Sequence, residues 1–175
     1  VCGESGKYVH LGATSYDIVD TAHALRMKDA FDVLLKKLED LEAVLIELVK
    51  RYRGLVMVGR THGQHALPIT LGLKFAVWLA EVERHIDRVL ECRKRALVGK
   101  MTGAVGTQAA FGEKGLEIQR KVMEILGLGE PLVTTQIVQR DRFAEVVSVL
   151  ALIAATAEKI ATEVRELQRT EIAEL

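Results

Sequence analysis

The sequence predicts an all-α fold, an elongated bundle of long helices, and three observations carry that prediction. Apolar residues recur at alternating steps of four and three over three long stretches, the spacing that lines side chains along one face of an α-helix. Only two prolines interrupt the 175 residues, so little of the chain is barred from helix. Polar, glycine-flanked segments separate the stretches, and such segments punctuate rather than propagate helices.

The first helix is expected from Ser15 to Tyr52. Met27, Phe31, Leu34, Leu38, Leu41, Leu45, Leu48 and Tyr52 form its heptad seam. Thr14 or Ser15 is the expected N-cap, Asp17 and Asp20 place acid where the helix dipole favours it, and Gly54 follows Arg51 and Arg53 as a stop. A short apolar run, residues 55–58, then leads into "GRTHGQHALP", residues 59–68. Pro68 sits where a first-turn proline belongs, and Phe75, Leu79, Val82, Ile86 and Val89 give a second helix reaching about Leu97.

Residues 99–112, "GKMTGAVGTQAAFG", read as a loop with a short irregular turn. A shorter helix is expected over residues 113–126, ended by "GLGEP". From Gln136 a third long helix carries Phe143, Val146, Leu150, Ile153, Ala157, Ile160, Val164 and Leu167 and is expected to run to the end of the chain. Helices of roughly 30 to 40 residues would be about 45 to 60 Å long. Their apolar surface exceeds what one short bundle buries, which predicts packing against copies of the same chain.

Length and composition fit one helical domain, residues 1–175. The chain starts at Val1 and stops at Leu175 inside a helical pattern, so it is expected to be a fragment of a longer protein. Lys plus Arg and Asp plus Glu are 24 each, so no net field recruits nucleic acid or an anionic membrane. The longest nearly uncharged stretch, residues 146–157, is short of the roughly 20 residues a membrane span needs. Cys2 and Cys92 lack CxxC spacing, which suits inert thiols in a reducing cytoplasm.

Chemistry has three candidate homes, each at a helix end: "HLGATSYD" (residues 10–17), "GRTHGQH" (59–65) and "TTQIVQRDR" (134–142). Thr14, Ser15, Asp17, Thr134 and Thr135 could serve only as caps. His62 and His65 are harder to assign to packing, because they fall in a turn-rich connection, whereas His23 and His85 lie inside helices. His-x-x-His can supply two metal ligands, yet no cysteine or carboxylate flanks it to complete a set. No Gly-x-Ser-x-Gly elbow, Walker loop or dinucleotide fingerprint occurs. Acid–base chemistry on a bound anion remains, with neither metal nor cofactor expected.

Taken together, "GATSYDIVDTA", "GRTHGQHALPITLGLKFAVWL", "GKMTGAVGT" and "TTQIVQRDRFAE" resemble, in this order and spacing, the central part of the adenylosuccinate lyases, in the fumarase/aspartase superfamily. The resemblance covers essentially the whole chain. It implies the central helical domain of that superfamily and a β-elimination releasing fumarate from adenylosuccinate, or from the related succinylaminoimidazole carboxamide ribotide, in purine biosynthesis. It further implies that His62 is the general acid toward the leaving nitrogen, a role suited to a side chain that ordinarily titrates near neutrality. Thr61 would hydrogen-bond the succinyl part, Thr14 and Ser15 would hold an anionic group at a helix N-terminus, and Gln136 would bind substrate. His10, Arg140 and His65 are weaker candidates, His65 standing behind the site.

The resemblance also implies that the catalytic base is a serine on a "GSSxMPxKxN"-type loop following the last helix, which these residues do not contain. The chain alone is therefore expected to be inactive. A homotetramer whose sites draw segments from three subunits is implied as well. Two other readings stand beside this one. "QHALPIT" and "GLKFAVWL" also resemble the 3-carboxymuconate cycloisomerases, against which His62 argues. A non-catalytic helical oligomerisation module is the reading from another class.

Overall fold

Two acidic residues open the first helix, and their placement organises what surrounds it. The structure, a computed structural model, describes residues 2–175. Helix α1 spans Ser15–Tyr52, the bounds its pattern predicts. Asp17 reaches back to accept the Thr14 N–H at 2.8 Å, so Thr14 is the capped residue. Among the heptad positions 17, 24, 31, 38 and 45, every side chain is buried: Asp17, Ala24, Phe31, Leu38 and Leu45.

The segment after α1 departs from the expected helix–loop–helix. Val56–Thr61 (β1) and Gln64–Thr70 (β2) pair as an antiparallel ribbon. Pro68 therefore lies in a strand opposite Val58 and does not open the second helix. Both strands of a two-stranded ribbon are edges, where a proline costs no ladder bond. The register shifts at Gly59, between Val58 and Arg60, as at a β-bulge. Helix α2, Leu71–Ala96, starts instead behind Thr70, whose hydroxyl accepts the Leu73 N–H at 3.1 Å.

Residues 99–108 form the expected loop, followed by short 3-10 turns over Ala109–Lys114. Helix α3, Gly115–Leu126, ends at Gly127, which is left-handed at φ 61°. The Lys28 ammonium donates to the Gly127 carbonyl at 3.1 Å, a cation placed on the negative end of α3. Helix α4 covers Asp141–Leu167. It begins five residues later than expected and stops short of the chain end, because residues 133–140 bond to groups outside the helix and residues 168–172 turn.

The chain divides into two compact units: residues up to 32 with 91–146, and residues 33–90 with 147–175. The second unit is conventionally apolar inside. Leu38, Leu45, Leu71, Phe75, Trp78, Val82, Val89, Val149 and Leu167 are buried, with Phe75 edge-on to Trp78 at 5.5 Å. His85 is its one buried polar side chain among the described residues, bonded to the Thr156 hydroxyl at 2.9 Å. Burial, then the nearby Arg88 charge, pushes its pKa below the usual histidine value.

The first unit has a different interior. Around Ala24, Phe31, Cys92, Ala96, Val98, Met123 and Val138 it buries Asp17, Asp20, Thr21, Lys100, Thr102 and Gln119. Burial also raises the Cys92 thiol, consistent with an inert cysteine. Here Gly106 sits at φ 86°, with its α-carbon so close to Thr134 that a methyl group would be driven into the Thr134 carbonyl. Gly106→Ala should therefore lose about 2 kcal/mol or more through strain and displacement of that loop. Urea unfolding measures it; an unchanged midpoint would show that the loop yields freely.

Candidate active-site segments

In the first unit, the carboxylate of Asp17 is fully buried and carries four bonds. Oδ1 accepts from the Lys100 ammonium and from the Thr102 N–H at 2.9 Å; Oδ2 accepts from Thr14 N–H at 2.8 Å and Gly103 N–H at 3.0 Å. Lys100 is equally buried. One turn on, Asp20 accepts from Val138 N–H at 2.8 Å and from Arg140 Nη1 at 2.9 Å. Thr21 Oγ1 both donates to the Lys100 carbonyl and accepts its N–H. The hydroxyls of Thr102 and Thr134 meet at 2.9 Å.

The first turns of α1 thus hold three stretches at once: residues 14–15, residues 100–103 and residues 134–140. Thr14 is half-buried and Ser15 exposed at the helix start; Gln136 is exposed in a bend. Arg140 is fixed from several sides, its guanidinium also lying over the rings of Phe143 at 5.0 Å and Tyr16 at 5.7 Å. His10 is exposed, on a turn just before these residues.

In the second unit the remaining candidates share the β-hairpin. Thr61 pairs with Gln64, leaving His62 and Gly63 as a two-residue turn. Their φ values are 54° and 69°, the doubly left-handed pattern of a type I′ hairpin turn. Glycine takes this without cost, while a residue with a Cβ pays about 1–2 kcal/mol. His10 is also left-handed, at φ 64°, so two of the candidate histidines sit where backbone strain is stored. Thr61, His62 and His65 are exposed.

Arg60 anchors the hairpin through a two-pronged bond to Glu174, at 2.8 and 2.6 Å. A cavity of about 550 Å³ is lined by residues 55–58, His65, Ala66, Pro68, Leu71 and Glu174. A second, of about 430 Å³, includes Arg60, Thr61, Leu67, Lys74 and Glu163 in its wall, the last two paired with each other. The site candidates therefore fall in two sets: His62, Thr61 and His65 in one unit, and Thr14, Ser15, Gln136, Arg140 and His10 in the other.

Sequence reasoning missed Lys100, Thr102 and the buried state of Asp17 and Asp20. The signal was present: positions 17 and 20 continue the seam of Ala24, Met27, Phe31 and Leu34 backward at heptad spacing. A carboxylate on an apolar seam must find partners inside.

Residues 2–175 match the family described as Lyase. The chain belongs to that lyase family. It is 56% identical to an adenylosuccinate lyase of Pyrococcus horikoshii over 175 residues, covering 100% of this chain and 39% of that protein. It is 47% identical to an N-acetyl-S-(2-succino)cysteine lyase of Dickeya dadantii, covering 99% and 38%. Among solved structures, the beta-carboxy-cis,cis-muconate cycloisomerase of Acinetobacter calcoaceticus sp. ADP1 superposes with TM-score 0.90 at 38% identity, over 95% of this chain and 38% of that one. The chain thus spans about two fifths of the length of the curated relatives it matches. No helix among the described residues is long and apolar enough to cross a membrane.

The Arg60–Glu174 pair makes hairpin stability depend on pH. Hydrogen bonding to Arg60 holds the Glu174 carboxyl below its ordinary 4.5. Its stabilising contribution is thus complete above that value and lost as pH falls through the lowered one. The unfolding midpoint of the wild-type protein should drop more steeply below pH 4.5 than that of Glu174→Gln; parallel curves would mean the pair adds nothing.

Proposed function

We propose that this chain is the central helical portion of a longer adenylosuccinate lyase that releases fumarate from adenylosuccinate and from succinylaminoimidazole carboxamide ribotide in purine biosynthesis. The observation that carries this is the likeness of the whole of this chain to 39% of the length of the Pyrococcus horikoshii enzyme. In this reading a base removes the proton beside a carboxylate, the charge collects on that carboxylate, and an acid protonates the departing nitrogen. His62 is the acid: a histidine ring can deliver a proton to the leaving nitrogen and take up another afterwards. Thr61 bonds the succinyl part and His65 supports the hairpin behind it.

Thr14 and Ser15 hold an anionic group of the substrate at the start of α1, where unpaired N–H groups and the helix dipole favour negative charge. Gln136 adds an amide from the neighbouring bend; Arg140 and His10 stand beside these groups. The base is a serine of the loop that the family resemblance places beyond these residues. The reaction needs no cofactor or metal in this scheme. The setting proposed is the cytoplasm, as free thiols at Cys2 and Cys92 suit.

The two sets of candidates lie in different units, and we assign their union to a homotetramer whose sites combine segments from several copies. Helix α4 supports this: of its apolar residues only Val149 and Leu167 are buried, while Val147, Leu150 and Leu152 are 65%, 44% and 49% exposed. The full-length protein should sediment as a tetramer at micromolar concentration; a monomer would refute that part of the scheme.

A second reading has support in the Dickeya dadantii relative, which is named for a compound carrying the succinyl group on sulfur. The two differ in the leaving group, and the cycloisomerase alternative differs in substrate altogether. Turnover by the full-length protein, followed as fumarate release from adenylosuccinate or N-acetyl-S-(2-succino)cysteine and as loss of the conjugated-diene absorbance of carboxymuconate, decides among them; adenylosuccinate is expected to be turned over at the highest kcat/KM. His62→Gln should lower kcat about 10² to 10⁴-fold with KM changed little. A variant with wild-type kcat would remove His62 from the role of acid.

A further inference from the structure

The buried acids at the start of α1 do more than cap it. Asp17 spends one oxygen on Lys100 and Thr102 and the other on Thr14 and Gly103. Asp20 divides its oxygens between Val138 N–H and Arg140 Nη1. Residues 133–140 form no helix or strand, so nothing in regular structure fixes Gln136. The stretch is held at one end by Thr134 against Thr102 and at the other by Asp20. Residues 100–103, which Asp17 grips, are the bridge that ties the Thr134 end back to Thr14.

From this connectivity we propose that Asp17 and Asp20 are positioning residues for substrate binding. Asp17, with Lys100 and Thr102, sets Thr14 and Ser15 against the stretch holding Gln136, and Asp20 fixes that stretch in register with α1. Neither acid touches substrate. Both act through backbone N–H groups whose direction they dictate, so their loss weakens ground-state binding and leaves the proton transfers intact. A neutral side chain of the same shape cannot reproduce the grip. Asparagine has one acceptor oxygen, whereas each carboxylate here satisfies donors with both. This inference rests on the functional reading above for the identity of the binding residues.

The test uses the full-length protein. Asp20→Asn should raise KM for adenylosuccinate about tenfold or more, with kcat within about twofold, and should speed amide hydrogen exchange across residues 134–140. Because Asp17→Asn alone strands a buried ammonium, the second variant is the double Asp17→Asn, Lys100→Met, which removes both charges together. It should raise KM similarly and loosen residues 101–106 and 134–140. His85→Gln disrupts a buried polar contact in the other unit and reports what destabilisation alone does; its KM should stay within twofold of wild type. A folded Asp20→Asn or double variant with wild-type KM and exchange overturns the proposal, as does an equal KM rise in His85→Gln. If the wild-type protein releases no fumarate from adenylosuccinate, the functional reading fails separately, and the exchange measurements still decide whether the acids fix these stretches.

Discussion

The ion pair between Asp17 and Lys100, with both side chains wholly out of solvent, is the constraint on which the first unit depends. Burying either charge alone is prohibitive, and even the pair recovers its desolvation cost only if the remaining hydrogen-bonding capacity is filled. Three backbone N–H groups fill it on the acid side. Breaking such a pair from one side typically costs about 3–5 kcal/mol, a large part of a domain's net stability. Folding of the loop at residues 100–103 and capping of α1 are therefore one event. An apolar seam could have supplied comparable stability; what it could not supply is directional contact with Thr14 and with the loop at residues 100–103.

The second unit solves the equivalent problem by other means. Its interior is apolar except for His85, so the long helices pack there by shape. Precision is needed only at the hairpin, where two local devices provide it. The left-handed His62–Gly63 turn fixes the strand register, and Arg60 ties the end of β1 to Glu174 by a fork that leaves the guanidinium little rotational freedom. An exposed histidine on a tight turn is held in direction by backbone conformation rather than by neighbours. That arrangement leaves the ring exposed.

The difference between the units explains what could be read from sequence. Apolar periodicity and terminal signals located α1 to its end residues and α3 nearly so; the start of α1 and the end of α3 are set locally, by Thr14 and Gly127. Pro68 misled because two local rules fit it equally: proline suits a first helical turn and an edge strand alike. The β-branched run around Val56 and Val58 and the two-residue His62–Gly63 turn, seen only together, favour the ribbon. The start of α4 was misjudged by five residues for a non-local reason. Val138 and Arg140 are captured by Asp20, 118 and 120 positions earlier. Likewise Asp17 and Asp20 satisfied a sufficient local account as dipole-facing acids. Only their heptad register with Ala24 and Phe31 marks them as interior.

That register also bears on why the first turns of α1 are polar inside. A heptad seam continued to the first turn with leucine would have stabilised α1 while leaving Thr14 and Ser15 attached to a fraying terminus. With aspartate at positions 17 and 20, the last two seam layers become directional. The terminus is held by charge-assisted bonds that are stronger than ordinary ones and specific in angle. The helix thus changes from shape-based packing to bond-based packing within two turns. This change falls where the chain stops needing only cohesion and must hold segments that have no regular structure of their own. The stability that apolar residues would have added at these positions is given up in favour of orientation.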